Sequence, residues 1–135
     1  MVEIKIDYAG DLHCDATHLP SGNHLVTDAP VDNNGRGEAF SPTDLVATAV
    51  GTCMATVIGI VAQRKEISIA GMTVHVRKFM SDGAPRRISC LEVEIHIPLP
   101  ATHPERKVFE SAARSCPVYN SIHPDIEVVL NWLWQ

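Results

Sequence analysis

The sequence predicts an α+β fold with the element order βββ-α-ββ-α-β, on three observations. Val2–Tyr8 alternates apolar and polar side chains strictly, as a strand does. Residues 45–62 form a run of apolar and small side chains far too long for one strand. Alternation with period two returns in 88–97 and in the last residues, separated by a helical stretch that begins near His103.

Taken in order, Val2–Tyr8 reads as a strand with one buried face, and Ala9-Gly10-Asp11 as a turn. His13–Thr17 is a second strand, Pro20-Ser21-Gly22-Asn23 a second turn and His24–Thr27 a third strand, which together make a small antiparallel meander. Between Asp28 and Phe40 the chain becomes a polar loop, and Arg36 and Glu38 carry its useful charge beside the aspartates. Ser41-Pro42-Thr43-Asp44 is a helix start: Ser41 can cap, Pro42 suits the first helical position, and Asp44 sits where a capping-box acid reaches back. The helix runs on to Ala62 and closes in Gln63-Arg64-Lys65, whose positive charge complements the dipole.

Apolar or small residues occupy nearly every face of this helix, so it belongs inside a protein. One sheet on one side cannot cover it. A second copy of the chain is the simplest cover, and a homodimer is expected. Residues 72–80 and 86–98 are strands around the turn Ser81-Asp82-Gly83-Ala84-Pro85, with an irregularity near Leu91. The second helix is expected from His103-Pro104-Glu105 with Pro104 first, its apolar face Val108, Phe109, Ala112, Ala113 and Cys116. Pro117 and Pro124 bound a shorter segment, and Ile126–Trp134 is the closing strand. No linker or repeat interrupts residues 1–135, which are read as a single domain.

Composition limits the function. Hydrophobic residues are 45% of the chain and aromatics 5%, so the core must be largely aliphatic. A net charge of −5 with only isolated Lys/Arg pairs argues against a nucleic-acid partner. No segment is read as the roughly 18-residue apolar span that a bilayer requires, so no membrane is expected. The first ten residues lack the apolar centre of a signal peptide, which points to the cytoplasm, where thiols stay reduced. Cys14, Cys53, Cys90 and Cys116 form no Cys-x-x-Cys pair, so any that act together are joined by folding.

Cys53 lies in the middle of the apolar helix and Cys116 near the end of the second. Packing is the commonest role of a free cysteine. Cys53 is about three turns from the helix start, beyond useful reach of the dipole, and an apolar setting alone would leave its thiol inert. A neighbouring cation would make it a nucleophile. Arg36, in the loop before the helix, is the candidate, with Glu38 or Asp44 to hold the guanidinium. Such a thiolate attacks the distal oxygen of a peroxide and becomes a sulfenic acid, which a second cysteine converts to a disulfide. Cys116 can serve if its Cα lies within ~4.4–6.8 Å of that of Cys53.

Cys14 and Cys90 are explained by packing. His13, Cys14, His18 and His24 match no compact zinc spacing, and no metal or other cofactor is expected. Phe109, Met54 and Val57 are read as core before pocket lining, and Trp132 and Trp134 as packing on one strand face.

Ser41-Pro42-Thr43-Asp44-Leu45 through Gly51-Thr52-Cys53-Met54 resembles the first cysteine helix of the OsmC/Ohr family, osmotically inducible protein C and organic hydroperoxide resistance protein. Ala113-Arg114-Ser115-Cys116-Pro117-Val118-Tyr119-Asn120 resembles the family's second cysteine motif. The element order agrees too, so the resemblance covers essentially the whole chain. It implies an OsmC-like fold: an intertwined homodimer with central helices wrapped by antiparallel sheets and active sites at the interface. It further implies a peroxidatic Cys53, a resolving Cys116 and a catalytic Arg36. The acid of the hydroperoxide-resistance branch would fall at Thr43, which is not acidic; Asp44 matches that of a divergent branch, and Glu38 is a further choice. The implied activity is reduction of organic hydroperoxides at the expense of an external dithiol. The alternative is a non-peroxidatic dimer that senses redox state or binds a small apolar ligand.

Overall fold

Alternating side chains and glycine turns organise the N-terminal residues of the computed structural model, which describes Met1–Gln135. β1 (Ile4–Gly10), β2 (His13–His18) and β3 (Asn23–Asp28) form an antiparallel sheet in the order β1-β2-β3. Gly10, Asp11 and Leu12 all take positive φ, which makes the first turn tight and shifts the register after Tyr8. This sheet belongs to one compact unit, Met1–Val46, and the rest of the chain, Ala47–Gln135, forms a second.

The expected buried face of the first strand is not buried by this chain. Ile4, Ile6 and Tyr8 share one side of β1, and each is more than 60% exposed. Alternation recorded a one-sided apolar surface, and it does not report what covers that surface.

After a 3-10 turn at Val31–Asn33, α1 runs from Pro42 to Arg64. Its start is the predicted capping box. The Asp44 carboxylate accepts the Ser41 N–H at 2.9 Å, and Ser41 Oγ accepts the Asp44 N–H at 3.1 Å. Within the chain only one stripe of the helix is buried: Ala47, Val50, Gly51, Met54, Ile58 and Ala62. Thr52, Thr56 and Ile60 are exposed, and the two threonine hydroxyls donate back to carbonyls one turn earlier.

The expectation that no segment is apolar enough to span a bilayer is corrected here. α1 has 23 residues and a window of mean hydropathy 2.1, so it passes by length and composition. Its buried stripe, Ala47 to Ala62, packs within the second unit. Gly51 lies against Val74 and Val76 of β4 (Thr73–Met80), so close that a Cβ there would meet Val76 Cγ2 at 2.8 Å.

β4 pairs antiparallel with β5 (Ile88–Ile97), and β5 pairs parallel with β6 (Glu127–Trp134). Leu91, Val93, Ile95 and Ile97 of the central strand are fully buried. The irregularity falls at Ser89, two residues before Leu91, because Phe79 faces Cys90 while Met80 faces Ile88. The extra residue turns both Ile88 and Leu91 inward, an arrangement that strict alternation forbids.

α2 (Arg106–Arg114) begins two residues later than Pro104. His103 Nδ1 accepts the Glu105 N–H, which holds 103–105 as a turn. Phe109, Ala112 and Ala113 are buried as expected, while Val108 is 39% exposed. On β6, Trp132 and Trp134 stack with ring centroids 6.0 Å apart, and the Arg106 guanidinium lies 5.5 Å from the Trp134 ring centre.

Candidate functional site

Two cysteines meet in the second unit. Cys53 is half-buried in the middle of α1, and Cys116 is fully buried just beyond α2. Their thiols lie close enough for Cys53 to influence the ionisation of Cys116. The end of α2 explains how Cys116 gets there. Ser115 Oγ donates to the Ala112 carbonyl at 2.7 Å and the Cys116 N–H to that of Ala113 at 3.3 Å, and Pro117 stops the helix.

The chain then folds back over Cys116. Its carbonyl accepts two bonds from Asn120, from the backbone N–H at 3.1 Å and from Nδ2 at 3.0 Å. This places the Tyr119 N–H 3.4 Å from Cys116 Sγ. Burial pushes the Cys116 thiol up from its ordinary value, and the nearby Cys53 thiol adds to the rise. The amides of Tyr119 and Val118 oppose it only in part. Cys116 therefore stays protonated at neutral pH beside the neighbouring sulfur.

Met54 and Phe109 are core residues with no exposed surface, so they line no open pocket. Cys90 is half-buried on β5, and its thiol is pushed up by burial and by Glu127 and Glu92. No group of three or more His, Cys, Asp or Glu side chains is arranged to hold a metal.

The other candidate residues lie in the first unit. Arg36 Nη2 donates to Asp11 Oδ2 at 3.2 Å, in an ion pair whose members are 61% and 80% exposed. The Asp44 carboxylate is engaged in the helix cap, and Glu38 is exposed. The Glu38 N–H donates to Asp28 Oδ2 at 3.1 Å, while His13 Nδ1 donates to Asp28 Oδ1 at 2.5 Å. Asp28 is only 3% exposed, so its carboxylate ties the Arg36 loop to the sheet. His24 pairs with Asp15 and His18 with Ser21, so the N-terminal histidines are spent separately.

Two expectations follow for the loop. The His13 hydrogen bond, first among several causes, holds Asp28 below its ordinary value of 3.8. The contribution of Asp28 to stability is thus complete above 3.8 and is lost as pH falls through the lower folded value. Amide exchange at Glu38 should accelerate only below pH ~4, and Asp28→Asn should show that acceleration already at neutral pH. Gly35 is the second test, because a Cβ there would run into the Ala29 carbonyl. Backbone cannot move aside as a side chain can. Gly35→Ala is expected to cost about 1–3 kcal/mol and to free the Gly37 N–H, now 3.3 Å from Ala29 O, as hydrogen exchange would record.

Sequence reasoning missed Asp11, Asp28, His13 and the Asn120 clamp. Only Asn120 left a signal, as a turn-forming residue four places after a helix-ending cysteine.

A profile of the OsmC-like protein family matches residues 35–131. A crystal structure from Psychrobacter arcticus 273-4, described in terms of osmotic stress induction and a detoxification response, is similar over 98% of this chain and 96% of its own. It has 48% identity and a TM-score of 0.92. The Legionella pneumophila organic hydroperoxide resistance protein OsmC shares the fold at 23% identity and TM-score 0.72, over 98% of this chain and 96% of that one. An OsmC-like protein from Mycoplasma pneumoniae does so at 16% identity and TM-score 0.82, over 99% and 96%. No curated protein sequence matches. With two helices, two three-stranded sheets and this order of elements, the chain belongs to the OsmC family.

Proposed function

We propose that the protein is a dithiol peroxidase that reduces organic hydroperoxides. The observation that carries this reading is the proximity of the Cys53 and Cys116 thiols, close enough for Cys53 to influence the ionisation of Cys116, one half-buried and one fully buried. The Cys53 thiolate attacks the distal oxygen, releasing an alcohol and leaving a sulfenic acid. Cys116 then displaces water from that sulfur to give a disulfide, which an external dithiol reduces. Family membership and the hydroperoxide-resistance names of several structural relatives support the substrate class.

Arg36 is the proposed cation. Its exposed pair with Asp11 belongs to a class worth ~0–1 kcal/mol, so little holds the guanidinium there. Asp44 or Glu38 would orient it. We place the protein in the cytoplasm, since the cycle needs reduced thiols, and as a homodimer. The exposed Ile4, Ile6, Tyr8 and Leu25 and the uncovered faces of α1 support a second copy. Cumene hydroperoxide with a thiol count and intact mass is the test: two thiols should disappear in one turnover and return with dithiothreitol. Slow, scattered oxidation would reject a peroxidase and leave a sensor or apolar-ligand binder.

The buried Cys116 also sets a pH dependence. Its thiol ionises above its ordinary 9.0, so below that value the resolving thiolate grows about tenfold per pH unit. Disulfide formation from a preformed Cys53 sulfenic acid, followed by stopped flow, should accelerate by that factor through pH 7–9. A plateau in this range would remove Cys116 from the resolving role.

A further inference from the structure

We propose that the turn Cys116–Asn120, by shielding Cys116, directs a dithiol that reopens the Cys53–Cys116 disulfide to Cys53, with Cys116 as the leaving sulfur. The inference rests on the peroxidase reading and specifies its reductive half. Three observations bear on it.

The first is access. Attack on a disulfide runs in line, the nucleophile approaching one sulfur from the side opposite the other. Cys116 has no exposed surface, while Cys53 is partly open. The second is the destination of the electron pair. When the S–S bond breaks it settles on Cys116 Sγ, where burial disfavours the charge. The Tyr119 N–H, 3.4 Å away, and the Val118 amide offset that cost in part, so access and not leaving ability selects the sulfur attacked. Pro117 has no N–H, so these are the first two amides available after the cysteine. The third is the clamp. Both Asn120 donors on the Cys116 carbonyl fix the turn that aims those amides. Asn120 is thus a positioning residue.

The step balances as two exchanges. One thiol of the dithiol, deprotonated, forms a bond to Cys53 Sγ; the Cys53–Cys116 bond breaks, and Cys116 takes up a proton. The second thiol of the reductant then attacks its own sulfur, closes a cyclic disulfide and releases Cys53. The protein gains two electrons and two protons, which the dithiol loses. Cys116, freed next to the mixed disulfide, can re-form the original bond. A dithiol, whose second thiol is held on the same molecule, outruns that reversal where a monothiol does not.

The test uses the full chain oxidised by diamide or by cumene hydroperoxide, pulsed with glutathione, quenched in acid, alkylated and mapped by peptide mass. Glutathione is expected on Cys53 in at least tenfold excess over Cys116. An adduct on Cys116, or an even mixture, overturns the inference alone. Failure of either oxidant to form the disulfide overturns the peroxidase reading with it. Asn120→Ala should lower the site selectivity and slow opening of the disulfide by dithiothreitol several-fold. Sulfenic acid formation at Cys53 should be unaffected. Unchanged opening and selectivity would remove Asn120 from this role.

Discussion

Cys53→Ser is expected to abolish hydroperoxide turnover, with a loss of about 10³-fold or more. A serine hydroxyl is barely ionised at neutral pH and cannot pass through a sulfenic acid, so the reaction has no substitute path. Cys116→Ser should behave differently. Its first turnover survives, because the attacking sulfur is intact, but the sulfenic acid has no partner and cycling stops after one equivalent of alcohol. Peroxide consumption and dimedone labelling of the trapped acid distinguish the two variants. Equal, partial losses in both would mean that the cysteine pair packs the core and does no chemistry.

Gly51→Leu carries the largest expected loss of stability, about 3 kcal/mol or more. Two effects compete at this position. Removing glycine from the middle of a helix is worth up to about 1 kcal/mol. Against that, even a Cβ would lie 2.8 Å from Val76 Cγ2 and 3.4 Å from Val74 Cγ1. Valine is stiff, so α1 and β4 must part, and overpacking wins. Gly51→Ala should fall between, with the two effects nearly offsetting. Urea melts of the single variants and of Gly51→Leu combined with Val76→Ala test the cause. If the smaller valine partner does not recover the loss, crowding against β4 is not its origin. Because Gly51 is two residues before Cys53, the leucine variant should also slow disulfide formation.

What was legible in the sequence was what repeats or caps. The capping box located the start of α1 at Pro42, because Ser41 and Asp44 satisfy each other's amides locally. The two cysteine motifs named the residues whose thiols the fold brings together. Non-local effects were not legible. The strand irregularity lies at Ser89, where the β4 register shifts and both Ile88 and Leu91 turn inward. The start of α2 moved because of one histidine nitrogen. The Arg36–Asp11 and His13–Asp28 contacts join residues far apart in sequence, and no pattern of spacing announces such pairs. The apolar face of β1 was read correctly as a face, but alternation carries no information on whether this chain covers it.

The stacked tryptophans give the molecule an uneven optical signature. Both indoles of the chain sit on β6, in the second unit, with Arg106 above one of them. Intrinsic tryptophan emission therefore watches only the unit that holds Cys53 and Cys116. Fraying of the N-terminal sheet would pass unseen in that channel, and circular dichroism or a label near Tyr8 would have to record it. An emission melt that trails the dichroism melt would mark the two halves as separate cooperative blocks, and coincident curves would make them one.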